Sequence, residues 1–514
     1  MKMIRNAAGR MVPDEIDGKK LKPFKGAHED HGGGRKIGPP IRAIADYKTK
    51  IRSSLDEAID DCNLKNGMTV SFHHHLRNGD HLGNMVVDKL AERGLKDMVV
   101  APSALFPVHE PIVKHIENGV VSHIEGSMNG PVGKACSLGK MNKTCVLRSH
   151  GGRYRAIQDG DLHIDAAFIA APVADPHGNA SGRGGPSACG VLGYSLADSL
   201  YADNVIVVTD NLVPFPNYPW TIRGGNVDHV CQVENLGDPE KILSGTTRLT
   251  RSPTRLLIAQ YAARVIEDTG IMNEPEFSFQ AGAGGISLAF LKYLAEIMRK
   301  QGVKADFARG GSTKFMVDML QEGLIDYILD LQCFDIPAVE SVIKNPRHIE
   351  SDPFTSYNYH TKGNLATRAK AAVLGATEVD LDFNVNVNTH SDGWLLHGTG
   401  GFTDVCDSGC TIITVPLLRG RVSSIVDSVT TVTSPGELID VIVTERGIAV
   451  NPKRKDLIEN LKGSDLPLKP IEELRQMAVD IAGTPKKPEY EDRIVPLIEY
   501  RDGTIIDTVK QLKL

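Results

Sequence analysis

Apolar and polar positions follow a recurring order along this chain: a short apolar run, a polar turn, then an amphipathic stretch of helical period. The clearest case is Phe277–Leu291, FSFQAGAGGISLAFL, which predicts a strand, a glycine-rich turn over Ala281–Gly285 and the start of an apolar helix. In the first half Val70–Leu90, VSFHHHLRNGDHLGNMVVDKL, has the same order. Both copies continue through an Ala-Glu pair (Ala91-Glu92, Ala295-Glu296) and a glycine (Gly94, Gly302). Each then reaches a further apolar run, at Asn118–Val121 and Glu322–Ile325. A diverged duplication of an α/β unit explains this better than a short solenoid repeat.

Taken in order, residues 1–45 are Gly/Pro-rich and of mixed charge, which predicts an irregular arm. Lys48–Leu64 has Ile51, Leu55, Ala58 and Ile59 on one helical face, and a strand is expected over Met68–His75. Apolar runs at Met98–Ala101, Thr144–Leu147, Ala166–Ala170 and Val205–Thr209 predict a mainly parallel sheet. Two loops with arginine among glycines are expected at Arg148–Gly160 and Pro176–Gly190, and a stiff aromatic loop at Pro214–Pro219. Polar residues 235–253 read as a linker between domains at 46–234 and 254–480, with an extension at 481–514. In the second domain the pattern predicts a helix over Thr254–Glu267, a strand at Leu324–Leu331 and a second glycine turn within Thr389–Gly409. Strands are expected at Thr411–Pro416 and Leu438–Val443, and a terminal hairpin turning at Asp502-Gly503.

Composition narrows the function classes. A chain of 514 residues with 41% apolar and 24% charged residues is an ordinary folded protein, long enough for two large domains. A net charge of −6 gives no general attraction to nucleic acid or an anionic membrane. The absence of a long apolar run or a secretory pattern, and eight cysteines without a CxxC pair, lead us to expect a cytoplasmic location.

The candidate chemistry lies in the glycine turns and the cations. Glycine lets backbone approach a ligand, and the first turn of a helix offers unpaired N–H groups to an anion or a reacting carbonyl oxygen. Gly282, Gly284, Gly285, Gly400 and Gly401 are candidates for that role. Arg77, Arg148, Arg153, Arg183 and Arg309 are candidates for holding carboxylates or phosphates. On a strand, His73 and His75 would share a face with His74 on the other, which makes the first two site-lining candidates. No set of ligands converges at zinc spacing around these histidines or around Cys406 and Cys410, so no metal is expected.

Three segments then carry a family resemblance. QAGAGG (280–285), HGTGGFTD (397–404) and VTERGIA (443–449) resemble the landmarks of acyl-CoA transferases and acetyl-CoA hydrolases, and DPHGN (175–179) is similar to their amino-terminal half. SFHHHLRNGDHLGN (71–84) resembles the alpha-subunit branch of citrate lyase. The resemblance implies an α/β tandem of two related CoA-transferase-like domains with the active site between them. It implies the exchange of acetyl for citryl on the thiol of an acyl carrier protein: acetyl-carrier plus citrate gives citryl-carrier plus acetate. The partners it implies are a gamma subunit (the carrier, with a CoA-derived phosphopantetheine-type arm) and a beta subunit that cleaves the citryl thioester. No cofactor is expected in the chain itself, and neither nucleic acid nor membrane as partner. Relatives that form a covalent enzyme–CoA thioester place a glutamate in the segment matching Val303–Gly311, where this chain has Asp306. The expectation is therefore direct attack by citrate, with Asp306 in an orienting role. Alternatives from the same residues are a transferase or hydrolase using free CoA, and a non-catalytic scaffold subunit.

Overall fold

The computed structural model describes residues 1–29, 36–38, 49–243 and 248–513. Its first half is a seven-stranded sheet. The strands are β1 (Ile51–Arg52), β2 (Thr69–Phe72), β3 (Met98–Pro102), β4 (Val121–Ile124), β6 (Ala166–Ala170), β7 (Asn204–Thr209) and β8 (His229–Gln232). Strand β5 (Cys145–Leu147) belongs to another sheet. Lateral order is β1-β8-β7-β6-β2-β3-β4 with every pair parallel. The second half holds β9 (Ser278–Ala281), β10 (Ala305–Ser312), β11 (Ile325–Cys333), β12 (His348–Glu350), β13 (Ala371–Gly375), β14 (Thr411–Thr414), β15 (Val441–Thr444) and β16 (Gly447–Val450). Their order is β12-β11-β10-β9-β13-β14-β15-β16, parallel except for the last pair.

The duplication is visible as topology. Six strands in the order β8-β7-β6-β2-β3-β4 repeat as β15-β14-β13-β9-β10-β11. In each half the chain winds outward from the first strand, then returns to its other side. That makes switch points between β2 and β6 and between β9 and β13, where a doubly wound sheet opens a crevice beyond its carboxyl ends.

Local chemistry sets the helices. Helix α1 (Leu55–Asp61) starts at Ser54, whose Oγ accepts from the Glu57 N–H at 3.1 Å, and it buries Leu55, Ala58 and Ile59. It begins later than its apolar pattern suggested: Ile51 pairs as a strand with Val230, and Lys48 lies outside the described residues. Helix α2 (Leu82–Glu92) follows β2. The segment expected as the loop Arg148–Gly160 is helix α3 (His150–Asp159), capped by Ser149 and buried along nearly its whole length. Its Arg-Ala-Ile-Gln stretch favours helix once Gly151 and Gly152 are packed rather than solvated. Helices α4 (Pro253–Asp268) and α5 (Gly285–Gln301) flank the second sheet, and α5 ends at Gly302 with φ 67°. Two short helices, α6 (Pro353–Tyr357) and α7 (Phe402–Val405), also belong to the second half.

One expectation fails and another holds only in part at the chain's ends. Thr144–Leu147 is not part of the central parallel sheet. Its strand β5 pairs with β17 (Tyr490–Glu499), which forms the terminal hairpin with β18 (Ile505–Leu512). The arm at 1–45, where described, is irregular only in part: Met3–Arg5 pairs with Met11–Pro13, and Glu15–Ile16 with Lys19–Lys20. Residues 30–35 and 39–48 lie outside the description. Val12 packs with Ile494, Leu497 and Ile505, so the hairpin supplies an apolar surface that the isolated arm lacks. Ile498 of β17 is fully buried in the main core. Ile498→Ala is expected to cost about 2–5 kcal/mol, typical of a deep large-to-small change. A urea midpoint within error of the parent would contradict this placement of the hairpin.

Candidate active site

The two sheets face each other across a seam at their carboxyl ends. Gln332 Nε2 at the end of β11 donates to the His74 carbonyl beyond β2 at 2.7 Å. His150 N–H donates to the Gly400 carbonyl at 2.8 Å, and Gly400 and Ser149 form an isolated parallel bridge. Glu350 accepts from Leu192 N–H at 2.6 Å and from Thr221 Oγ1 at 2.7 Å. Asp404 accepts from Ser149 Oγ at 2.7 Å and from Gly151 N–H at 2.9 Å.

Five residues converge in that seam. A Cβ on Gly401 would lie 3.2 Å from Tyr357 Oη and 3.5 Å from His150 Cδ2. Gln280 Nε2 donates to Tyr357 Oη at 3.4 Å. Arg309, fully buried on β10, sits 4.7 Å from the centre of the Tyr357 ring and donates to Gln280 Oε1 and, at 3.1 Å, to the Ser356 carbonyl. These hydrogen-bond partners are neutral, Arg309 Nε has no hydrogen-bond partner among the described residues, and the carboxylate of Asp404 acts on it without bonding it. Taking a guanidinium out of water costs several kcal/mol unless charge compensates. An anion placed here would supply that compensation.

Imidazoles line the other wall. His74 Nδ1 is 2.6 Å from Ser103 Oγ, and the His74 ring stacks on Tyr194 at 4.5 Å and on His150 at 5.1 Å. The expected alternation of the three histidines does not hold. β2 ends at Phe72, and His73, His74 and His75 leave the strand with their rings roughly stacked. Burial pushes the His150 ring down to about 3, aided by Arg153, and pushes His74 and His75 well below the usual histidine range. All three are therefore neutral near pH 7. A cavity of about 10 Å³, room for one water, lies among Ser103, His150, Arg153 and Tyr194.

The candidates read from sequence divide sharply. Arg309, Gly400 and Gly401 are brought together. Arg77 (φ 53°) has its guanidinium 4.9 Å from the ring centres of both Phe106 and Phe334, one from each half, and is buried at the seam. Arg153 is committed to Asp198, with contacts of 2.7 and 2.8 Å. His73 Nε2 lies 3.0 Å from the same carboxylate. Burial would raise that carboxyl, but Arg153 and His73 outweigh it and hold it far below the carboxylate range. Arg148 is likewise paired with Glu125 and Glu499, at 2.6 and 2.9 Å. Arg183 lies 3.5 Å from Glu350, and His75 Nε2 accepts from Tyr194 N–H at 3.3 Å.

The first glycine turn is only partly free. Gly282 N–H donates to the Val373 carbonyl at 2.9 Å, so it is spent on the switch point itself. Gly284 and Gly285 open α5 with no side-chain cap, and their N–H groups have no acceptor among the described residues. Asp306 is exposed near the amino end of β10, its N–H bonded to the Phe277 carbonyl. It is therefore at the wrong end of the sheet to meet the seam, where the same strand presents Arg309. A strand side chain three residues earlier is about 10 Å away. Sequence reasoning missed Tyr357, His150, Tyr194 and Asp404. Asp404 ends HGTGGFTD and Gln280 opens QAGAGG, so motif position could have flagged both. Tyr357 lies in no motif, and only packing reveals it.

Two related, facing, doubly wound domains with glycine turns at their seam define a protein of the CoA-transferase fold. A 4-hydroxybutyrate CoA-transferase from Porphyromonas gingivalis superposes with TM-score 0.55 at 17% identity, covering 84% of this chain and 96% of that one. Residues 48–512 match the model of the family described as citrate lyase, alpha subunit (CitF). The citrate lyase alpha chain of Klebsiella pneumoniae is 46% identical over 466 residues, covering 90% of this chain and 92% of that one. The alpha subunit of citrate lyase from Streptococcus mutans, solved in complex with citrate, superposes with TM-score 0.94 at 44% identity, covering 99% and 100% of the two chains. The chain belongs to the citrate lyase alpha-subunit family.

Gly401 leaves room that any side chain would take from Tyr357 and His150. Gly401→Val is therefore expected to abolish acyl transfer while far-UV circular dichroism stays native, since the loop change spares the core. Near-parent transfer by the folded variant would refute the placement of this turn at the reacting centre.

Proposed function

We propose that this chain exchanges acetyl for citryl on the thiol of an acyl carrier protein, within a multisubunit citrate lyase. The carrier, with its CoA-derived phosphopantetheine-type arm, is the gamma subunit. The beta subunit then cleaves the citryl thioester. Family membership supports the activity, and one observation carries the geometry: Arg309, buried with only neutral hydrogen-bond partners, packs on the Tyr357 ring, whose hydroxyl borders Gly401, and Gly401 in turn meets His150 from the other half.

A citrate carboxylate attacks the acetyl carbonyl carbon, the C–S bond breaks, and a mixed anhydride and a carrier thiolate result. The thiolate then attacks the citryl carbonyl carbon of the anhydride, and acetate leaves. Protons balance without a general acid or base, so catalysis rests on holding the reactants together and stabilising two oxyanions. Arg309 and Arg77 supply cations for citrate. The N–H groups of Gly284 and Gly285, without an acceptor among the described residues, and the turn at Gly400–Gly401 are the donors for developing negative charge. Neutral His150 and Tyr357 Oη add hydrogen bonds without competing for the cations. Arg148 and Arg153 serve this site by shaping it, because their charges are already paired.

No carboxylate of the chain acts as nucleophile in this reading. Asp306→Asn is expected to keep transfer within about twofold, as for an ordinary exposed position. Incubation with acetylated carrier alone, borohydride reduction and mass spectrometry should find Asp306 unreduced. A reduced Asp306, or ping-pong kinetics, would demand an acyl-enzyme instead. The activity itself is tested by supplying isotopically labelled citrate with acetyl-carrier or with acetyl-CoA. Label entering only the carrier thioester supports the proposal, label entering CoA equally well makes the chain a free-CoA transferase, and no label in either makes it a scaffold.

A further inference from the structure

Ser149 caps α3, the first helix turn facing the seam, and its Oγ accepts from the Gly152 N–H at 2.9 Å. The same hydroxyl donates to Asp404 Oδ1, while Asp404 Oδ2 accepts from Gly151 N–H. Asp404 comes from the other half of the molecule, three residues after Gly401, and is fully buried. Gly151 admits no side chain: a Cβ there would lie 2.7 Å from Tyr357 Cβ and 2.8 Å from Asp404 Oδ1. The residue between Ser149 and Gly151 is His150, whose N–H is bound to the Gly400 carbonyl at 2.8 Å.

We propose that Asp404 is a positioning residue for the transfer reaction: its carboxylate caps α3 across the seam and so fixes His150 against the Gly400–Gly401 turn. The role rests on the transfer reading above, but the clamp itself is a matter of two hydrogen bonds. A carboxylate accepts at both oxygens, whereas an amide in the same place offers one acceptor and one donor, and the donor would oppose Ser149 Oγ–H or Gly151 N–H. The charges acting on Asp404 are those of Arg309 and Arg501; Tyr357, Tyr194 and Cys406 lie within its own field, and His150 stands between its two hydrogen-bond partners Ser149 and Gly151. Burial outweighs the hydrogen bonds and these cations and raises its carboxyl to about 6. The clamp is then complete only above that pH. It weakens as pH falls through about 6, when one oxygen takes up a proton.

The test compares the parent with Asp404→Asn and, should that variant fold poorly, Ser149→Ala. At saturating citrate and pH 7.5, Asp404→Asn is expected to lower kcat by about ten- to a hundredfold, the scale of a small misplacement at a reacting centre. KM for citrate should change less than about threefold, since the anion's cations remain. The parent's acidic limb near pH 6 should be flattened in the variant beyond what citrate's own ionisation, common to both proteins, accounts for. A kcat within twofold of the parent with the same limb would overturn the proposal. If neither protein transfers acyl groups, the function assigned above fails separately, and hydrogen exchange reads the clamp directly. Faster exchange of the Gly151 amide in Asp404→Asn or Ser149→Ala then supports the clamp, and unchanged protection overturns it.

Discussion

Everything in this molecule depends on two parallel sheets delivering their loops to the same seam. In a parallel sheet every strand leaves at one end, so polar loops and helix starts accumulate there. When two such ends face each other, polar and charged groups become buried, and burial is tolerated only where each finds a partner. The seam meets this demand with local sets. Asp198 gathers Arg153, His73 and Ser71, the last at 2.5 Å. Asp330 gathers Ser312 at 2.6 Å and His348 at 3.1 Å. These networks spend most of the buried charge on structure.

What remains unspent is therefore informative. Arg309 hydrogen-bonds only to an amide and a carbonyl and stacks on a phenol ring, and the opening N–H groups of α5 have no side-chain cap among the described residues. The neighbouring imidazoles are held neutral by burial, which keeps the local positive charge on guanidinium groups rather than sharing it with titrating histidines. Such an environment suits a reaction in which negative charge moves between oxygens and sulfur with no net proton transfer.

The ends of the chain brace this arrangement from outside. Glu499 of β17 binds both Arg148 and Arg155 at 2.9 Å, tying the terminal hairpin to α3. Asp507 of β18 accepts from Val432 N–H of the second half at 2.7 Å. A segment that carries no motif thus ties to both halves of the molecule, and the amino-terminal strands pack against it.

The sequence by itself determined the α/β class, the duplication and the position of the glycine turns. Those depend on local period and on glycine's freedom, which short stretches encode. It also singled out Arg309, Gly400 and Gly401 as candidates, which the fold brings to one seam. It could not assign the other cations, because Arg148, Arg153 and Arg309 look alike until their partners are known. Nor could it show that β5 joins a strand some 350 residues away, since pairing partners are chosen by tertiary packing. Asp306 and Arg309 are three residues apart on one strand, and only the direction of that strand decided which of them reaches the seam.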